Sequence, residues 1–155
     1  MHAFVKWLYL VALIVWLGEI VFFSFVVAPA LFRTLPTADA GRAVGAVFPL
    51  YYRLGYVCGG ALLLTTLFLL GGAVSRGWWS VNAVLAAMML AATLYAGVVV
   101  QPRASELRLQ IHDTAAPPTV KEEFDRLHRL AVQLNGAVLL CGIVVSIVTA
   151  AALRP

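Results

Sequence analysis

Between Trp7 and Arg33 the sequence runs through 25 residues, 8–32, that hold one acidic or basic side chain, Glu19, almost halfway along. About 20 predominantly apolar residues cross the hydrocarbon core of a bilayer as a helix. A carboxyl group at that depth is costly unless it is paired, hydrated or protonated, so Glu19 is the first residue to which chemistry can be assigned, as a proton or cation site. Helical spacing puts Ala12, Trp16, Phe23 and Val26 on its side, a face expected to look into the bundle or a partner subunit. The other apolar stretches offer it no charge. Thr65, Thr66, Thr93, Tyr95 and Ser146 are the nearest polar partners by type. A protonated Glu19 donating one hydrogen bond to another helix or to water is therefore the expected resting form, against the plainer reading of a carboxyl tolerated for structural reasons.

A second constellation is His128, Asn135, Gly142 and Thr149, which recur every seven residues along one helical stripe. A buried Asn on such a stripe either ties helices together or orients a ligand. The third is a set of metal-ligand types: His128, Met88, Met89, Cys58 and Cys141 carry donors that copper accepts. Bis-histidine haem would need two histidines at one depth, and His2 and His112 lie outside the apolar segments. No cofactor is expected, with copper or haem binding kept as the remote alternative. The two cysteines lack the paired spacing of a zinc site or disulfide framework. No phosphate-binding glycine loop, nucleophile elbow or zinc motif is present, so an enzyme would have to be built from the ligands just named.

The elements that must position these residues follow from composition. The 155 residues are 63% hydrophobic and 12% charged, with a mean hydropathy of +0.94, far from a soluble domain. Four apolar segments stand out, at about 8–32, 54–74, 81–100 and 130–153, each long enough to span. The expected fold is all-α: one integral membrane four-helix bundle with no separate soluble domain. Lys6 ahead of an apolar run and Ala28-Pro29-Ala30 mimic a secretion signal, but the run exceeds the 7–15 residues of an h-region and reads as a retained first helix.

Lys and Arg distribute unevenly. Arg33, Arg42, Arg53, Arg103, Arg108, Lys121, Arg126 and Arg129 fall in the two longer connections, whereas Lys6, Arg76 and Arg154 fall on the other face, eight against three of the total of 11. The positive-inside rule puts both long connections in the cytoplasm and both termini outside, in a plasma or bacterial inner membrane, with Trp78 and Trp79 in the outer interfacial belt. The net charge of +4 reflects this asymmetry and points to anionic lipid head groups at the cytoplasmic face rather than to nucleic acid.

Within the first connection, Pro36-Thr37-Ala38-Asp39 reads as a helix start capped by Thr37, and Pro49 reads as its limit, which predicts a short cytoplasmic surface helix over 38–48. Within the second, Ala115-Ala116-Pro117-Pro118 breaks the chain and Thr119-Val120-Lys121-Glu122 matches a capping box. Helix four is expected to start near 119 and run about 35 residues, roughly 50 Å at 1.5 Å per residue. Small residues at Gly55-x-x-x-Gly59, Ala83-x-x-x-Ala87-x-x-x-Ala91 and Ala137-x-x-x-Cys141 are expected to be packing faces.

An internal echo accompanies these pieces. Phe48-Pro49-Leu50-Tyr51-Tyr52-Arg53-Leu54 aligns with Phe124-Asp125-Arg126-Leu127-His128-Arg129-Leu130, and Val26-Val27-Ala28-Pro29 aligns with Val99-Val100-Gln101-Pro102. Two parallel helical hairpin repeats related by an axis along the membrane normal would produce it, beside the reading of chance similarity among low-complexity segments.

Leu31-Phe32-Arg33-Thr34-Leu35-Pro36, Phe48-Pro49-x-Tyr51-Tyr52, Pro102-Arg103 and Leu127-His128 with Asn135 seven residues on resemble the membrane family that includes transmembrane protein 205, also described as domain of unknown function 4149. The resemblance covers nearly the whole chain and implies a four-helix integral membrane protein with no established reaction. Two positions depart from the family pattern: Ala131 stands where a serine is expected and Glu19 where a small residue is expected, so an activity shared by the family is not expected to rest on Glu19. Tyr52 and Arg33, which lie in the matching motifs, join Glu19, His128 and Asn135 as candidate ligand or proton site residues.

Three function classes remain open. A transport-related or ligand-binding bundle would use Glu19 and need a water-filled cavity or a homo-oligomer. A membrane scaffold or assembly factor would use the basic cytoplasmic helices and need no intramembrane site. A metal or haem carrier would need the donors named above.

Overall fold

The computed structural model describes residues 2–72, 76–113 and 117–152. Arg154 and the Ala115-Ala116 part of the expected break lie outside the described residues. The chain forms α1 (His2–Phe22), α2 (Ala28–Thr34), α3 (Thr37–Gly72), α4 (Arg76–Tyr95), α5 (Gln101–Asp113) and α6 (Pro118–Ala152). Five-residue π-helical turns, Phe23–Val27 and Ala96–Val100, join α1 to α2 and α4 to α5 without a break. Among the described residues four helices are long and apolar enough to cross a membrane: His2–Thr34, Thr37–Gly72, Arg76–Ile111 and Pro118–Ala151. In hydrocarbon each backbone N–H and C=O must be satisfied within its own segment, and such apolar runs have helix as their solution.

Both π turns stand just before a proline. Each ends one residue before a Xaa-Pro step, Ala28-Pro29 and Gln101-Pro102. A proline inside a helix lacks the donor for the carbonyl four residues back and its ring crowds that carbonyl. The preceding N–H reaches five residues back instead, Ala28 to Phe23 and Gln101 to Ala96, which widens the turn around the ring. The sequence echo between 26–29 and 99–102 therefore corresponds to one shared piece of backbone geometry.

Pro49 does not end a helix. α3 runs through it for 36 residues, about 54 Å, so the surface helix expected over 38–48 is the first part of a membrane helix rather than a separate element. Losing one backbone bond is tolerated because packing holds the helix on both sides: Phe48 and Tyr51 pack at a tilt on Phe23 of the first π turn, with ring centroids 5.6 and 5.1 Å away. The caps shift too. Pro36 offers its carbonyl to the N–H groups of Asp39 and Ala40, which makes Thr37 the first helical residue, and Val120 bonds Pro117, so α6 starts with Pro118 at its first position, where a missing N–H costs nothing. The fourth helix keeps its expected length at 35 residues.

α1 packs on α3, and α4 packs on both α3 and α6, so the two helical hairpins meet chiefly through α3 and α4. Trp16 is the central knob. A Cβ at Gly59 would lie 2.8 Å from the Trp16 ring and 2.9 Å from Leu90, so the indole rests on bare α3 backbone. The other two expected small-residue faces are only partly inside: Ala87, Ala91 and Ala137 are exposed, Ala83 and Cys141 are half-buried, and α4 buries Asn82, Ala86, Met89 and Thr93. Spacing alone does not distinguish these two stripes of α4; the bulk of Met89 is taken up by the core and the small Ala87 is left to lipid.

At one end of the bundle gather α2, α5 and the first turns of α3 and α6, with most of the basic residues. The apolar core of Leu13, Trp16, Leu62, Met89 and Val145 separates this charged end from the end that carries the termini.

Candidate functional site

On the charged-end side of that core, three helical segments meet in a polar network. Asn135 of α6 accepts the Tyr51 hydroxyl at 2.5 Å through Oδ1 and donates to Ser24 Oγ at 3.0 Å through Nδ2. Ser24 belongs to the first π turn, so the proline-driven widening sets the position of this acceptor. Tyr51 is fixed by rings on three sides: Phe23, Phe48 and Tyr52, the last edge-on at 5.4 Å and 88°. Against the network lies a cavity of about 10 Å³, lined by Trp16, Tyr51, Tyr52, Thr93, Asn135 and Val138 among others. That is space for a single water molecule.

Glu19 sits on α1 between Trp16 and Phe23, half-buried, and within electrostatic range of Tyr51 and Cys58 on α3. Its Oε2 is buried and has no hydrogen-bond partner among the described residues. The partner expected from another helix is thus not found. Thr65 and Thr66 donate to the carbonyls of Ala61 and Leu62, Thr93 to Met89 and Ser146 to Gly142, each on its own helix. Back-bonding to the carbonyl four residues earlier is the standing local alternative for a helical hydroxyl, and here it takes all of them. Tyr95 is exposed.

The remaining sequence candidates disperse. Tyr52 is buried in the aromatic cluster and lines the cavity. Arg33 lies exposed at the end of α2 and makes no ion pair among the described residues. His128 is exposed and stacks on Phe124 of its own helix, so it is not brought to Asn135, although Gly142 and Thr149 of the same stripe are buried. Met88 is exposed whereas Met89 is buried, and Cys58 is buried on α3 whereas Cys141 is half-buried on α6. Among the described residues no three His, Cys, Asp or Glu side chains converge.

Two features escaped the sequence reading. Asn82, Tyr9 and Thr149 form a second polar cluster near the termini; an Asn within an otherwise apolar stretch was the available signal for it. Arg108, counted only as a charge, turns back from α5 to donate to the Gly41 carbonyl at 2.8 Å and covers the Phe124 ring at 5.6 Å. Beside it Arg103 pairs with Glu106 at 3.3 Å and with Glu123 at 3.1 Å, tying α5 to α6.

Residues 11–113 match a family model described as "Domain of unknown function (DUF4149)", about two thirds of the chain. An uncharacterized protein of Aquifex aeolicus (strain VF5) is 50% identical over 42 residues, which is 27% of this chain and 32% of that protein. The match thus spans about a third of that relative's length. No solved structure matches.

Proposed function

The chain belongs to the DUF4149 family, a membrane family without an assigned activity, and we propose that it binds a proton or a small cation at Glu19 in a transport-related bundle. One observation carries this reading: a carboxyl oxygen inside a membrane-spanning helix is buried and unpartnered among the described residues. An intramembrane acid retained without a structural partner is available to take up and release charge. The Tyr51–Asn135–Ser24 network is the polar surface nearest in character to such a site, and it links three of the helical segments. The cavity beside that network has space for one water, which favours a proton or a bare ion over an organic ligand there.

The charge asymmetry supports placing the charged end in the cytoplasm, against anionic lipid head groups, with both termini outside. A second copy of the chain is the natural source of further polar groups for Glu19. A scaffold without an intramembrane site is the competing reading, and the observation in its favour is the Arg108 brace, which joins α3, α5 and α6 into one platform.

Purified protein in liposomes holding an internal pH-sensitive dye separates the two. Under an imposed pH gradient the wild type is expected to dissipate it faster than empty liposomes, and Glu19→Gln is expected to match the empty control while remaining folded. Wild-type liposomes as tight as empty ones, with and without added sodium or potassium, would sink the transport reading and leave the scaffold.

A further inference from the structure

At the end that carries the termini, Tyr9 of α1, Asn82 of α4 and Thr149 of α6 meet in a cluster that the Glu19 reading does not use. The two hydroxyl oxygens are 2.5 Å apart, Asn82 Nδ2 donates to each at 3.1 Å, and Thr149 donates to the Val145 carbonyl at 2.6 Å. The three residues are 1%, 0% and 3% exposed.

The protons of this cluster can be counted. Thr149 has one, given to Val145; Tyr9 has one, which then goes to Thr149; the Asn82 amide has two, given to Tyr9 and Thr149. Every donor is used, and what is left over is an acceptor: Asn82 Oδ1, buried and without a partner among the described residues. Turning the amide over does not mend this: Oδ1 could then accept from the hydroxyls, but both N–H groups would lose the acceptors they have. A buried carbonyl without a donor is costly, and in native proteins such groups are met by an ordered solvent molecule.

We propose that Asn82 binds one small neutral hydrogen-bond donor, a water molecule, which donates to Oδ1 and to the unused lone pair on the Tyr9 oxygen. The chemistry of the cluster selects this class. No acidic side chain belongs to it, so a bare cation would be buried without counter-charge, and an anion would meet only lone pairs. The water completes a brace between α1, α4 and α6, across the two hairpins. It is independent of any charge movement at Glu19.

The test is a structure of the full chain in lipid nanodiscs at a resolution that shows ordered water, together with Asn82→Leu. A density peak about 2.7–3.2 Å from Asn82 Oδ1 is expected, and the Leu variant is expected to melt several degrees lower because it displaces the water and strips both hydroxyls of a donor. A side-chain oxygen surrounded by carbon with no peak overturns the proposal, as does an Asn82→Leu protein that melts at or above the wild type. If that variant does not fold, the density decides alone.

Discussion

Arg108 and Gly41 are 67 residues apart in sequence and joined by a 2.8 Å hydrogen bond from the guanidinium Nη1 to the backbone carbonyl. The contact exists because α3 has no side chains in the way: a Cβ at Gly45, one turn on, would lie 2.5 Å from the same nitrogen. Gly41, Gly45 and Pro49 thus form one face of α3, on which a cation from α5 lies down and is covered by Phe124 of α6.

Gly45→Ala is expected to push Arg108 off this face. The lost charge-assisted bond is worth about 1.5–3 kcal/mol and the gain in helix propensity returns about 0.5–1 kcal/mol, so a net loss of roughly 1–2 kcal/mol follows. Arg108→Leu should cost a similar amount, and the pair should be far from additive in detergent unfolding. Additive losses would show that the two residues act apart.

Asn135→Leu leaves the buried Tyr51 hydroxyl without its acceptor and should destabilise by about 1–3 kcal/mol, whereas Ser24→Ala removes the acceptor of a single amide N–H and should cost about 1 kcal/mol. Equilibrium unfolding of both variants checks the order. Equal, negligible losses would mean that the network does not form in lipid.

Gly59→Ala places a methyl against the Trp16 ring and Leu90 and should cost about 1–3 kcal/mol through overpacking. Trp16→Phe in the same chain should recover part of that loss by making room. A double variant weaker than the sum of its parts would argue against Trp16 as the knob.

Reporter fusions after Pro155 and near Pro117 should report opposite faces of the membrane, with the Pro117 reporter in the cytoplasm, if the eight-to-three charge split sets topology. Two reporters on one face would overturn the arrangement, and a cytoplasmic C-terminus would overturn its orientation.

The class of object and the course of its elements were readable from residue types alone. Apolar runs of 20 residues and more have few solutions in lipid, so four helices and the length of α6 could be read directly. The two Xaa-Pro steps were legible as an echo, and each marks a π turn. Asn135 was legible as a buried polar residue on a stripe, since an amide in an apolar segment has to find partners.

The directions in which side chains face came from packing between helices. Whether Pro49 ends a helix depends on what holds the turns on either side, and Phe23 does that from another helix. Which stripe of α4 faces inward depends on the neighbours, because small residues at 83, 87 and 91 and a mixed stripe at 82, 86, 89 and 93 both fit helical spacing. The Thr and Ser hydroxyls matched to Glu19 by type were taken by their own helix carbonyls, and His128 turned outward while Asn135 found Tyr51 and Ser24. In a membrane protein every span is apolar on all sides, so hydropathy places a residue along the membrane normal; its direction around the helix axis is set by packing against the other helices.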